Sequence, residues 1–230
     1  MQSKSQFDQL RQLIPSELLM QSGSAFYTGK EAWAGNADFY ILGLNPGGDP
    51  EQVKQTVEEH TLAVAAKDAP WSDYVHSDWG AGKNQTKCGE GRHHTQRRVQ
   101  SLAEKLGIDL RATPASNLIF KRTSTESALR GKSGLIGLCW PFHQAVIDQL
   151  EIKMVICFGH TVGQAVRKNL RATEKADEFR ERNKREWRSS VYRSDSGVLV
   201  AVLTHPARAD WTKPPTDPSA MLLSALAARG

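Results

Sequence analysis

Cysteine is scarce in this chain: three residues in 230, Cys88, Cys139 and Cys157, far apart in sequence. A scattered, odd-numbered set does not make a disulfide framework. No apolar run approaches the length of a membrane span. The first residues, MQSKSQFDQLRQ, lack the apolar core of a signal peptide, so a cytoplasmic location, nucleoid-associated when bound to DNA, is expected. Internal repeats and low-complexity linkers are missing too. So are G-x-S-x-G, G-x-x-x-x-G-K-[ST] and G-x-G-x-x-G, which argues against an ordinary α/β hydrolase or nucleotide-binding enzyme.

What is present describes one folded unit. Hydrophobic residues make up 39% and charged residues 24%, the balance of a soluble globular protein. The length suits a single domain over residues 1–230 with a full core. A formal charge of +5 favours a polyanionic partner.

Phe7, Leu10, Ile14, Leu18 and Leu19 fall on one face of an N-terminal helical region broken at Pro15. A first buried strand is expected over 38–44. Asp49-Pro50-Glu51-Gln52 then reads as the start of a helix reaching about Ala66. Residues 67–92 have no periodicity and hold Trp71, Tyr74, Trp79 and several glycines, an irregular insertion of the kind that often carries function. A helix is expected over about 95–106, ended by Gly107. Strands follow at 115–120, 153–160 and 197–206, with helices near 140–150, 161–170, 174–187 and at the C-terminus. Apolar strands without strict alternation indicate a parallel sheet covered on both faces.

In such sheets ligands bind outside the carboxyl ends of the strands. Here those ends read GLNPGG, NLIFKR, CFGHT and LTHPAR, all polar or glycine-rich. Asn45 does not titrate, but its amide offers two donors and an acceptor. Pro46 stiffens the loop, and Gly47 and Gly48 permit close approach of a ligand.

Two of these loops together resemble motifs of the uracil-DNA glycosylase superfamily. Gly43-Leu44-Asn45-Pro46-Gly47 matches the G-x-N-P-G form found in its mismatch-specific and single-strand-selective branches. His205-Pro206-Ala207 matches the H-P-[SA] motif after the last strand, and Asn117 stands where that family places a base-reading Asn. The resemblance covers roughly residues 37–212. It implies a three-layer α/β/α sandwich around a four-stranded parallel sheet, a base flipped into a pocket, and hydrolysis of its N-glycosidic bond. Asn45 and His205 would then be catalytic, the first aligning water and the second donating to the uracil O2 as charge develops there. A donor so placed is worth roughly 3 kcal/mol. Gly43, Leu44, Pro46, Gly47 and Asn117 would line the base, with Asn117 reading its O4 and N3–H edge.

The chain also departs from that pattern. The Asp that activates water in another branch is replaced by Asn45. The wedge residue after the His-Pro pair is not evident, with Arg208 and Trp211 as candidates, and the stacking aromatic is unassigned. The cluster-bearing branches need four cysteines. Cys88 with His93 and His94 fits no common zinc spacing, so no metal and no cofactor is expected. The stretch from Arg167 to Arg193 holds ten basic and five acidic residues, and reads as a solvated helix with i,i+4 ion pairs. Better phosphate contacts are Lys83, Lys87, Arg92, Arg97, Arg98, Lys121, Arg122 and Arg208. A monomeric DNA glycosylase is the leading expectation. The alternative is a module of the same fold that binds a base or nucleic acid without cleaving it.

Overall fold

A computed structural model describes residues 5–80 and 87–229. Six strands form one mixed sheet: β1 (Phe39–Gly43), β2 (Ala115–Asn117), β3 (Met154–Phe158), β4 (Glu174–Arg180), β5 (Arg188–Arg193) and β6 (Leu199–Leu203). Their order across the sheet is β2-β1-β3-β6-β5-β4. The first four in that order are mutually parallel. β5 runs antiparallel to both β6 and β4.

Helices are α1 (Gln6–Arg11), α2 (Ser16–Leu19), α3 (Val57–Ala65), α4 (Asp73–His76), α5 (His94–Leu106), α6 (Lys132–Gln149), α7 (His160–Leu170) and α8 (Ser219–Ala227). β3 and β6 are buried at every position, which explains their unbroken apolar runs. One face of the sheet packs Tyr40, Leu42, Val155 and Val200 with α1, α6 and α7. The other packs Ile41, Met154, Ile156 and Leu199 with α5 and α8. No described helix is long and apolar enough to cross a membrane.

Three expectations need correction. The sheet has six strands rather than four, because residues 174–193 form the hairpin β4–β5 instead of a charged helix. Charge spacing fits either structure. Asn183 decides for the hairpin, since its Oδ1 accepts from the backbone N–H groups of Arg185 and Glu186 at the tip. Val191 then anchors the sheet side, fully buried.

The second concerns the helix expected from Asp49. Residues 49–53 make only one turn, and α3 begins after Thr56, whose capping box with Glu59 satisfies two backbone donors reciprocally. The intervening chain is held extended by residues 21–23: Ser22 Oγ donates to Val53 O at 2.5 Å, and Val57 N donates to Gln21 O at 2.9 Å.

Third, α6 starts at Lys132, well before the expected 140, and carries Pro141 in its interior. α5 ends at Gly107 as read from the sequence, with a left-handed φ of 67°.

Candidate functional site

Because β1 has parallel neighbours on both sides, its carboxyl end lies where the chain's path over the sheet reverses, and a crevice opens there. The crevice is a cleft of about 1550 Å³. Gly43, Leu44, Asn45, Gly47, Asn117 and His205 all line it, so three separate strand ends converge as the sequence suggested. Pro46 does not line it. That residue is buried, and its carbonyl accepts from Asn45 Nδ2 and from Thr123 N, so it fastens the loop instead of touching a ligand.

Asn45 has a defined orientation. Its Nδ2 donates to Pro46 O at 3.0 Å, Lys121 O at 3.2 Å and Thr123 Oγ1 at 2.8 Å. Thr123 Oγ1 spends its own proton on Thr125 O, so it can only accept from Asn45. All three partners are therefore acceptors, which fixes the amide nitrogen on the loop side. The carboxamide oxygen is the end left out of this fastening.

Asn117 is paired in register with Gly43 across β1 and β2. A Cβ on Gly43 would come within 2.2 Å of Asn117 Oδ1, so glycine there is what lets the amide lie over the β1 backbone. Asn117 is 6% exposed, and its Nδ2 is buried without a hydrogen-bond partner. A buried amide donor left unmade costs about 1–3 kcal/mol, a cost that a ligand carbonyl would relieve. Beside it stands Tyr27. Burial, then the nearby Asp73 carboxylate, push its hydroxyl up to about 12, while Ser24, Arg122 and Asn117 act in the opposite direction; the Asn117 amide is near enough to favour the phenolate without meeting the geometry of a hydrogen bond to it.

His205 accepts from Ala207 N through Nδ1 at 3.0 Å. In the neutral ring the proton therefore sits on Nε2. Burial, then Arg208, lower its pKa below 6.5, with Glu126 pulling weakly the other way, so the neutral donor is the form held at pH 7. The loop that carries it is clamped by Arg98, which donates to Pro206 O at 2.6 Å and pairs with Asp210 at 3.4 Å.

Arg98 is thus a brace for the His205 loop and not an open phosphate contact. Lys87, Arg122 and Arg208 line the cleft, whereas Lys121, Arg92 and Arg97 lie off it, the last two exposed. Lys83 lies outside the described residues. Of the two wedge candidates, Trp211 is fully buried against Phe158, with ring centroids 5.4 Å apart, so it belongs to the core. Arg208 remains, exposed at the rim.

Several lining residues carried no local signal in the sequence. Tyr27 and Ser24 reach the cleft because residues 23–28 run beside the outer edge of β2, with Tyr27 N donating to Ala115 O at 2.8 Å and Ser24 N to Phe120 O at 3.0 Å. That pairing depends on residues nearly ninety positions apart in sequence. Trp71, Tyr74 and Trp79 of the insertion do line the cleft. Tyr27, Tyr74 and Trp79 make an aromatic wall, with centroids 5.4–6.5 Å apart. Asp73 sits at that wall and accepts from Trp79 Nε1 at 3.1 Å; burial raises its pKa.

Near the insertion, Cys88 Sγ donates to Asp78 Oδ1 at 3.5 Å, and His93 caps α5 by accepting from Thr95 N at 3.3 Å. Among the described residues, no group of three or more His, Cys, Asp or Glu side chains is arranged to hold a metal. Compared with known proteins, the chain matches no family model, and no curated protein matches it.

Proposed function

We propose that this protein is a DNA glycosylase that hydrolyses the N-glycosidic bond of uracil or another deaminated base extruded from the strand, an activity that serves repair. The observation that carries this reading is the buried, unpartnered Nδ2 of Asn117 in the same cleft as Asn45 and the neutral His205. Extruding the nucleotide costs about a few kcal/mol, which contacts to the flipped base offset.

In this reading Asn117 Nδ2 donates to uracil O4 and its Oδ1 accepts from N3–H. Cytosine presents a donor and an acceptor in the reverse order and is rejected. The C1′–N bond breaks with its electron pair leaving on the base, so negative charge gathers on O2. His205 Nε2–H donates there, most strongly late in the reaction. Asn45 Oδ1 aligns a water whose oxygen bonds to C1′. The water's proton passes to the departing base or to solvent, giving the free base and an abasic sugar. An amide suffices for that step when the sugar already carries oxocarbenium character, since the water then needs alignment more than deprotonation.

The second reading, a binding module of this fold, draws on Asn45 itself: its nitrogen holds the loop together, a purpose that needs no chemistry. Oligonucleotides containing uracil, hypoxanthine or xanthine, single- and double-stranded, separate the two readings after alkaline cleavage of abasic sites. Strand breaks at one of these bases are expected. Tight binding without release of any base would replace the enzyme by the binder.

A further inference from the structure

The cleft is larger than a flipped base requires, and one end of it has no role in the reading above. His60 of α3, Lys67, Trp71 and Arg122 line the cleft there. Arg122 is prepositioned: its Nε donates to Ser22 Oγ at 3.2 Å and its Nη1 donates to Gly47 O. Lys67 lies on the face of Trp71, with Nζ 4.6 Å from the ring centroid, so the indole fixes the direction of a long flexible chain. His60 packs against Trp71, with ring centroids 6.5 Å apart, and its Nδ1 is buried with no partner.

Two cations and one unsatisfied imidazole nitrogen thus converge. Neither Lys67 nor Arg122 is in an ion pair among the described residues, in contrast to Arg98, Lys105, Lys132 and Lys153, which all are. Burial, Arg122 and Lys67 together hold the His60 ring at about 4, so it is neutral at pH 7 and able to carry a proton on Nδ1 as a donor. Arg122 also acts on Asp73 and Tyr27, which places this corner within electrostatic reach of the wall beside Asn117. Lys121, one residue before Arg122, receives the amide of Asn45.

We infer that Arg122, Lys67 and His60 form a subsite for one phosphate group of the substrate strand, next to the flipped nucleotide. The inference rests on the glycosylase reading for the identity of the strand, and it gives the cleft a second recognition element besides the base. Arg122 supplies a fixed fork for two phosphate oxygens, Lys67 a point charge, and His60 a neutral donor to a third oxygen. The arrangement favours a substrate whose backbone enters the cleft. Uracil or deoxyuridine alone leaves this corner empty.

The test is competition against a fluorescein-labelled single-stranded uracil oligonucleotide, followed by anisotropy at fixed salt. Competitors are uracil, deoxyuridine, its 5′- and 3′-monophosphates, the trinucleotide with central deoxyuridine, an all-thymidine trinucleotide and inorganic phosphate. At least one phosphate-bearing form should compete about tenfold better than deoxyuridine. Lys67→Ala and His60→Phe should each reduce that advantage severalfold while leaving competition by deoxyuridine unchanged. Arg122 also secures a loop, so Arg122→Lys is compared with Arg122→Ala: the lysine variant should retain part of the advantage.

If phosphate adds nothing, or if the variants weaken deoxyuridine as much as its phosphates, the subsite is wrong. Should uracil forms gain nothing over thymidine forms while the phosphate advantage persists and responds to Lys67→Ala, the subsite stands and the base-reading assignment falls. Inorganic phosphate competing as well as the trinucleotides would overturn a subsite tied to the strand.

Discussion

The carboxyl edge of the parallel strands and the β4–β5 hairpin are both rich in cations, yet they use them in opposite ways. In the hairpin Lys175 and Arg188 pair with Glu178, Arg180 with Glu186 and Arg185 with Glu181. At the cleft, Arg122 and Lys67 have no carboxylate partner among the described residues, while Arg98 spends its charge on Asp210 and Pro206. Charge density therefore does not mark the ligand site. The proposed phosphate subsite rests instead on cations inside a concavity with no carboxylate in contact among the described residues, where an incoming anion would gain more than it displaces. The hairpin still serves the site mechanically: Arg185 Nη1 donates to Arg208 O at 2.7 Å and backs the His205 loop from outside.

On the proposed glycosylase reading, the largest effects should come from His205 and Asn45. His205→Ala and Asn45→Ala are each expected to lower the single-turnover rate of base release by two to three orders of magnitude, with DNA affinity changed only severalfold, since each acts on a species formed during cleavage. Quenched-flow measurement at saturating enzyme checks this, and equal losses in rate and affinity would contradict it. Asn45→Asp is the sharper variant. It sets carboxylate oxygens against Pro46 O, Lys121 O and Thr123 Oγ1, so both rate and stability should fall, the latter by about 2–4 kcal/mol for three lost or reversed hydrogen bonds. A faster enzyme would mean that water activation, not loop fastening, limits this position.

Gly43→Ala comes next. The added methyl must displace the Asn117 amide, so kcat/KM for uracil-containing DNA should drop at least tenfold while salt-dependent binding to undamaged DNA is unchanged. Unaltered discrimination between uracil and cytosine would remove Asn117 from the reading of the base.

Acid sharpens the comparison through the histidines. His143 is buried between Tyr40 Oη, at 2.7 Å from Nδ1, and Leu118 O, at 3.1 Å from Nε2, and burial lowers its pKa from 6.5 to about 4. His60 is lowered similarly. Between those limits the unfolded chain binds protons that the native chain does not, so stability falls as pH drops from about 6.5 toward 4 and the loss levels off below. Each ring contributes on the order of 3 kcal/mol to that loss. Urea denaturation as a function of pH should show it, and His143→Gln should flatten part of the slope. The rate has its own signature. With His205 as a neutral donor the rate is level above pH 6.5 and falls in acid as the ring's lowered pKa is passed, whereas a cationic donor would make the rate rise there.

Smaller effects separate Arg97 from Arg98. Arg97→Glu should weaken DNA binding by a few-fold and make it less salt-dependent, through long-range charge alone. Arg98→Ala should lower the rate more than the affinity, because it frees the Pro206 carbonyl and the loop behind His205. Smallest of all, Lys175→Ala and Arg180→Ala remove exposed ion pairs and are expected to change stability by less than about 1 kcal/mol and DNA affinity not at all. A marked loss of DNA binding in either would move the interface onto the hairpin.

The strands β1, β3 and β6 were legible in sequence because residues buried on both faces have to be apolar without interruption. The loops after them were legible because Asn-Pro-Gly-Gly and Thr-His-Pro interrupt those runs abruptly. Asn117 was named only through the family resemblance: the strand expected over 115–120 stops at Asn117, which sets that residue at a strand end. The hairpin was not, since ten cations and five acids in a row satisfy helical spacing as well as strand alternation, and Val191 and Asn183 are weak signals beside them. The start of α3 was misplaced because Asp49-Pro50 and Thr56-x-x-Glu59 are both valid caps, and only the tie between residues 21–23 and 53–57 selects the second.

Local chemistry therefore determined the parallel core and the polar strand ends, since each depends on neighbours within a few residues, while Asn117 and His205 were singled out by a resemblance in short motifs. Tertiary structure decided the rest. It set Tyr27 beside Asn117, turned Arg98 into a brace, buried Trp211, and left Lys67, His60 and Arg122 lining one cleft. Those outcomes depend on which distant segments meet, and a side chain's charge or ring acquires its use only from the partners that folding supplies or withholds.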